Sequence, residues 1–211
     1  MTVAAQDFPR GPVVLLSGGL DSTVALATQI ELGDKDIVAV TFDYRQVNRA
    51  EELYAARRVA QHYNVEHRII GLGSVFVPSA LTGSKEIPTS PAVDGPDATF
   101  VPGRNIVLIG VGVAVAQGSG SDCVVTGCNA ADAAGYPDTT TAFMDGLARA
   151  AEIGYGVQLV NPLLHHDKRA ILDLAAALRV PVEFTWSCYR SGDTQCGNCG
   201  SCALNAEAAL R

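Results

Sequence analysis

Residues 13–23 read Val-Val-Leu-Leu-Ser-Gly-Gly-Leu-Asp-Ser-Thr. Four apolar residues run into a diglycine, and a helix-forming segment follows. A buried strand, a tight turn and a helix in this order bring free helix N-terminal amides to the turn, which is how a backbone holds an anion. Gly18 and Gly19 let that backbone approach a ligand closely. Ser17, Ser22 and Thr23 add hydroxyl donors. The turn is neither the phosphate loop that ends in Gly-Lys-Ser/Thr nor the dinucleotide GxGxxG pattern. It also carries Asp21, a carboxylate where an anion would sit. The plainer alternative is an ordinary strand-to-helix turn with Asp21 as the helix cap.

Working outward, the same alternation repeats. Val13–Leu16 reads as a buried strand and Asp21–Leu32 as a helix stopped by Gly33. Ile37–Phe42 is a second strand. Arg49–Tyr63 has helical spacing, with Leu53, Ala56, Ala60 and Tyr63 on one face. Val65–Ile70 fits a third strand. Gly71–Gly103 is rich in Gly, Pro, Ser and Thr and is expected to be mostly a long functional loop. Asn105–Gln117 is expected to be a buried helix, although its valines leave a strand open. Asp122–Thr126 and Val157–Val160 read as strands, and Asp138–Ile153 and Asp167–Leu178 as helices. Alternating strands and helices without internal repeats predict an α/β fold, a doubly wound parallel sheet, over residues 1–184. Residues 185–211 form the one expected appendage.

Composition sets the bounds. The 211 residues, 48% hydrophobic, suit one globular domain with a sizeable core. A net charge of -7 argues against a broad nucleic-acid surface but leaves room for a local basic pocket. Met1–Arg10 lacks the basic start and apolar core of a signal peptide. The apolar run Ile106–Ala116 is shorter than the roughly 20 residues a bilayer requires. No membrane partner is expected, and a cytoplasmic location is.

Six cysteines are present. Cys188, Cys196, Cys199 and Cys202 supply two successive C-x-x-C steps plus a fourth thiolate, the donor set that tetrahedral Zn²⁺ prefers. Four thiolates leave no open position, so such a metal clamps the tail and does not catalyse. An iron–sulfur or redox role is the alternative. Cys123 and Cys128 read as small core residues, and His165-His166 as a solvated loop pair.

Ser17–Ser22, SGGLDS, resembles the pyrophosphate-binding loop (PP-loop) of the N-type ATP pyrophosphatases, which cut ATP between its α- and β-phosphates and adenylate a substrate oxygen. Phe42-Asp43-Tyr44, Arg49-Ala50-Glu51, Phe100–Asn105, Thr126-Gly127, Asp132, Gly135–Asp138, Asn161–Leu163, Asp167-Lys168 and Trp186–Cys202 are, in order, similar to strings of the 7-cyano-7-deazaguanine synthase (QueC) family. Val101–Asn105 and the cysteine tail are the most specific. The resemblance implies an adenine nucleotide α-hydrolase type of sheet with a C-terminal zinc knuckle. It further implies an ATP-dependent C–N ligase that adenylates 7-carboxy-7-deazaguanine and, with ammonia, forms the amide and then the nitrile.

The resemblance also assigns roles. Leu16, Ser17, Gly18, Gly19, Leu20, Asp21, Ser22, Thr23, Val24, Ala25 and Leu26 would hold the ATP phosphates, and the backbone near Phe42 the adenine. Asp21, Lys168 and Arg104 would be catalytic, with Asp21 orienting the turn or holding Mg²⁺. Arg104, Asn105, Asp132, Tyr136 and Asp138 would meet the substrate. The chain carries no glutaminase domain, so free ammonium or a partner would supply nitrogen. A homodimer is implied.

The chain departs from the family at Arg45 and Asn48, where Gly and His are usual. It departs again at Thr139-Thr140 (Cys-Arg), at Ala170 (Glu) and at Asn205 (Arg). These changes fall around the substrate, so a relative that passes the activated acid to another amine without making a nitrile stays open. So does a non-catalytic nucleotide-binding or zinc-knuckle module, against which SGGLDS, Arg104 and Lys168 together speak.

Overall fold

The computed structural model describes residues 11–73, 75–89 and 96–210. The expectation that Met1–Arg10 is not a signal peptide concerns residues outside them. Five strands form one parallel sheet: β1 (Val13–Leu15), β2 (Val38–Asp43), β3 (Glu66–Gly71), β4 (Cys123–Val125) and β5 (Gln158–Val160), in the order β3-β2-β1-β4-β5. The chain winds outward from β1 to β3, then restarts at β4 on the other side of β1. The gap beyond the carboxyl ends of β1 and β4 is therefore the topological switch point, where such sheets bind ligands.

Strand residues alternate faces with period two. Val14, Leu16 and Ala39 pack on one side with α1 (Leu20–Glu31), α2 (Arg49–His62) and α5 (Lys168–Ala177). Val13, Val38, Val40 and Phe42 pack on the other with α3 (Arg104–Ser119) and α4 (Thr141–Tyr155). Both faces are covered, so the central strands read as continuous apolar runs. Edge strand β3 is half solvated, with Arg68 and Glu66 paired at 2.6 Å across its exposed side.

Over α3 the strand alternative gives way to a helix. Gly103 and Gly120, both left-handed, bracket 16 helical residues, too long for a strand here. A Cβ on Gly112 would lie 3.0 Å from Leu15 and 3.2 Å from Val124, so this glycine lets α3 settle on the sheet. That burial overrides the β-preference of its valines.

The helix expected from Asp138 starts three residues later. Pro137–Thr139 is a 3₁₀ turn, and Thr140 caps α4 by accepting the Phe143 amide. Beyond β3, the described residues of the Gly71–Gly103 segment are irregular apart from a 3₁₀ turn at Ala80–Thr82, but they are not merely solvated. Leu81 and Val101 are fully buried in the α3-side core. A sixth helix, α6 (Gly200–Leu210), was not anticipated. Its Ala- and Leu-rich sequence is overshadowed by the cysteines, and it packs beside α5, where Arg169 reaches the Ala208 carbonyl. Among the described residues no helix is long and apolar enough to cross a membrane.

The tightest constraint is at Gly18. Its φ is +86°, and a Cβ there would fall 2.5 Å from the Glu52 carbonyl oxygen and 2.8 Å from the Ala56 nitrogen. Gly18→Ala combines a left-handed backbone with a collision against helix backbone. It is expected to lose at least about 2 kcal/mol of stability in chemical denaturation; a wild-type midpoint would refute this packing.

Candidate active site

At the switch point lies a cavity of about 250 Å³. Its walls are the turn after β1, the end of β2 with Phe42 and Tyr44, the start of α3 with Arg104 and Asn105, Thr126–Cys128 after β4, Lys168, and tail residues Trp186, Ser187, Tyr189, Ser201 and Leu204. Of the residues the sequence singles out for nucleotide, Leu16, Ser17, Gly19, Leu20, Asp21, Ser22 and Phe42 face this space. Gly18, Thr23, Val24, Ala25 and Leu26 are buried and line no part of it, forming instead the packed base of the turn.

The turn is held by its own hydroxyls. The Gly19 amide donates to Ser17 Oγ (3.2 Å), and Ser17 and Ser22 hydroxyls meet at 3.0 Å. Ser22 and Thr23 donate to the Gly19 carbonyl at 3.1 and 2.8 Å. A Cβ on Gly127 would sit 2.9 Å from the Ser22 nitrogen, so the loop after β4 touches the first turn of α1.

Asp21 is not left facing an anion bare. Its Oδ2 accepts from Lys168 Nζ at 2.5 Å and from Asn129 Nδ2 at 3.1 Å, while its buried Oδ1 has no partner among the described residues. Lys168 begins α5 behind the Asp167 cap, where the helix dipole disfavours a cation. The Asp21 carboxylate offsets that. The same Asn129 amide reaches Asp132 Oδ2 at 2.9 Å. Burial pushes the Asp132 carboxyl up to about 6, against the lowering charge of Lys168.

Arg104 sits among phenols. Its Nη1 donates to Tyr44 Oη at 3.3 Å, and its guanidinium lies 5.9 Å from the Tyr136 ring centre. Burial works against its charge, but Tyr44, Tyr136 and Tyr189 outweigh that and its pKa is raised. Tyr136 bonds Thr99 (2.5 Å) and Tyr189 (3.2 Å). Asn105 lines the cavity, whereas Asp138 lies behind it, receiving the Asn105 amide at 3.3 Å. Asp138 therefore supports the wall and does not form it. The Phe42 carbonyl accepts from Gln46 Nε2 at 3.1 Å.

Sequence reasoning missed Glu52, Asn129 and Ser187. Glu52 lines the cavity, its two oxygens receiving Gln46 Nε2 (2.8 Å) and Asn48 Nδ2 (3.0 Å). Its position one residue after the Arg-Ala-Glu string gave no signal, because helical charge usually faces solvent. Asn129 and Ser187 are small polar residues, and only the fold shows what they touch.

The tail closes the cavity. The sulfurs of Cys188, Cys196, Cys199 and Cys202 all lie within 4.8 Å of one another. Tetrahedral Zn–S bonds require sulfurs about 3.8 Å apart, and Cys199 and Cys188 stand at 3.9 Å. The Arg190 and Cys196 amides point at Cys188 Sγ, both at 3.4 Å, as suits a thiolate. The donor set fits a closed tetrahedral metal. The tail is also stitched to the site: the Trp186 amide donates to the Gly18 carbonyl (2.8 Å), the Leu20 amide to Ser187 Oγ (3.1 Å), and Asn48 Nδ2 to the Cys188 carbonyl (2.7 Å). Cys123 and Cys128 lie apart from this cluster. Both are half-buried, and Cys128 lines the cavity.

Two measurements follow. Protein purified without chelator is expected to carry about one metal ion per chain by elemental analysis, and Cys202→Ser to lose most of it; metal-free but fully folded protein would contradict this. Burial also pushes the Glu52 carboxyl up from 4.5 to about 7, opposed by its amide partners and Arg104. The folded state thus holds this proton more tightly than the unfolded state. Stability relative to Glu52→Gln should fall by roughly 2–3 kcal/mol as pH rises from about 4.5 to about 7, then level. A constant difference across that range would refute the burial of a free carboxyl here.

The comparisons agree with this geometry. A family model described as "Queuosine biosynthesis protein QueC" matches residues 11–211. The 7-cyano-7-deazaguanine synthase of Synechococcus sp. (strain CC9902) is 41% identical, covering 96% of this chain and 93% of that one. The same-named protein of Thermoplasma acidophilum is 36% identical, covering 91% and 84%. Among solved structures, NMN synthetase from Francisella tularensis superposes with a TM-score of 0.53 at 20% identity, over 88% of this chain and 70% of that one, a likeness of fold. The chain, matched along nearly its whole length, belongs to the QueC family.

Proposed function

We propose that this protein is an ATP-dependent ligase that adenylates 7-carboxy-7-deazaguanine, forms its amide with ammonia, and dehydrates that amide to 7-cyano-7-deazaguanine. The observation that carries the reading is the cavity at the carboxyl ends of β1 and β4. There a helix N-terminus, Lys168 and Arg104 converge on one open-mouthed cavity. Residues 1–184 supply the catalytic sheet and 185–211 the zinc-held knuckle. The family likeness implies a homodimer in the cytoplasm.

The chemistry explains the need for such a site. Hydroxide is a poor leaving group, so a carboxylate resists attack by an amine. Its oxygen instead attacks the α-phosphorus of ATP, the bond to the β-phosphate breaks, and pyrophosphate leaves. Ammonia then displaces AMP and a proton is released. A second ATP adenylates the amide oxygen, releasing pyrophosphate and one N–H proton; loss of AMP and the second N–H proton then leaves the nitrile. In this reading the turn from Ser17 to Ser22 cradles the departing pyrophosphate, and Lys168 stabilises charge developing at the α-phosphate. The Phe42 end of β2 meets the adenine. Arg104 faces the substrate carboxylate, and Asn105, Asp132 and Tyr136 face its ring.

Charge balance supports Mg²⁺. Among the described residues Asp21, Glu52 and Asp132 line the cavity against Arg104 and Lys168, so a triphosphate needs further cations there. The buried Asp21 Oδ1, without a partner among the described residues, leaves a carboxylate oxygen available to hold one. When bound, the ion would neutralise phosphate charge. The knuckle's zinc would supply no chemistry beyond holding the tail.

A second reading is favoured by two residues. Thr140, where the family usually has arginine, is used as the cap of α4, and Arg45, where it usually has glycine, is exposed and outside the cavity wall. A cavity without that cation suits transfer of the activated acid to another amine, ending at an amide.

Incubation with ATP, Mg²⁺, ammonium and 7-carboxy-7-deazaguanine, followed by mass spectrometry, separates these outcomes. Nitrile with AMP is expected. Adenylate or amide without nitrile would favour the second reading, and no ATP consumption would remove both. Asp21→Asn is expected to lower kcat at least tenfold with an unchanged fold; full activity would refute its role.

A further inference from the structure

We propose that Ser187, carried by the metal-held tail, donates its hydroxyl proton to the pyrophosphate in the β1–α1 turn and so completes a cradle that the turn cannot complete alone. This rests on the functional reading above and adds a binding residue to it.

The argument is a count of protons. A serine hydroxyl has one proton to donate and two lone pairs to accept. The hydroxyls that make the turn look like an anion site are largely spent within it. Ser22 and Thr23 both donate to the Gly19 carbonyl. Because Ser22 has given its proton there, the 3.0 Å contact between Ser17 and Ser22 makes Ser17 the donor. Ser17 in turn accepts the Gly19 amide. These bonds stiffen the turn but leave it no hydroxyl proton for a ligand.

Ser187 differs. Its Oγ accepts the Leu20 amide at 3.1 Å, and no acceptor for its own proton is found among the described residues. It faces the cavity, and its Oγ is 3.7 Å from where a Cβ on Gly19 would be, directly against the diglycine. Its backbone is fixed on both sides. The Trp186 amide is bound to the Gly18 carbonyl, the Ser187 amide to Gln195 Oε1 (3.3 Å), and the Cys188 carbonyl to Asn48. Accepting from Leu20 therefore leaves the proton free to turn toward the cavity. A phosphate oxygen is the acceptor that fits, because the N-terminus of α1 favours an anion there.

The test is calorimetric titration with Mg²⁺-pyrophosphate, and separately with AMP, on the metal-loaded full chain. Ser187→Ala is expected to weaken pyrophosphate roughly tenfold or more, with AMP affinity within about twofold and metal content unchanged. Ser187→Thr, which keeps the hydroxyl, should recover most of the affinity. Ser187→Cys, nearly isosteric but a weak donor, should behave like the alanine variant and serves if that variant loses metal. Equal or tighter pyrophosphate binding in Ser187→Ala and Ser187→Cys overturns the proposal, since a cap that merely competes for the Leu20 amide would do this. Parallel loss of AMP and pyrophosphate binding in both variants also overturns it, as a purely structural role. Wild-type protein that bound no pyrophosphate and consumed no ATP would instead refute the reading of the site itself.

Discussion

The architecture depends on one close approach. Gly18 sits against the backbone of α2, with the Glu52 carbonyl where a β-carbon would be. The contact draws the strand-to-helix turn down onto α2, and the next two amides, Gly19 and Leu20, are held by Ser17 Oγ and Ser187 Oγ beside the cavity. Gly127 makes the matching approach from the loop after β4, against the first turn of α1. Two glycines from neighbouring strands thus bring two loops together at the one place where the sheet reverses direction, and a ligand can meet both.

Around this turn the charges are arranged in pairs and not spread. Asp21 and Lys168, 147 residues apart in sequence, meet at 2.5 Å. Each occupies the start of a helix, one where the dipole welcomes it and one where it does not. Asn129 ties that pair to Asp132, and Gln46 with Asn48 holds Glu52. The tail then covers the turn, shaped by a four-cysteine cluster whose donors fit a metal. Four sulfurs cluster within it, and hydrogen bonds at Trp186, Ser187, Cys188 and Gly192 fix it to the turn and to the start of α2. The knuckle is therefore part of the cavity wall and not a remote appendage.

Much of this was legible in the sequence because it rests on local signals. The apolar runs before Gly18 and Gly127 and the helical spacing after them were enough to predict the parallel sheet. The two C-x-x-C steps were enough to expect a four-sulfur cluster. Local signals fail where tertiary contacts decide. The valines of α3 leave a strand open beside the expected helix until the sheet buries them. The helix after Pro137 starts late because Thr140 outcompetes Asp138 as a cap. Val24, Ala25 and Leu26 follow the motif in sequence, yet helical geometry turns them into the core. Asp138 looked like a ligand and proves to be a wall support. Glu52 follows one family-like string and Ser187 lies inside another, yet neither string marked it as a cavity residue, since a half-buried carboxyl and an uncommitted hydroxyl exist only once distant segments are packed together.

The central claim is that the diglycine turn receives the β- and γ-phosphates of ATP. A crystal structure with a non-hydrolysable ATP analogue and Mg²⁺ tests it most directly. The expected result is a triphosphate whose terminal phosphates lie within hydrogen-bonding distance of the Ser17–Ser22 turn, with the adenine at the Phe42 end of β2. A nucleotide bound elsewhere, with the turn left empty, would contradict it.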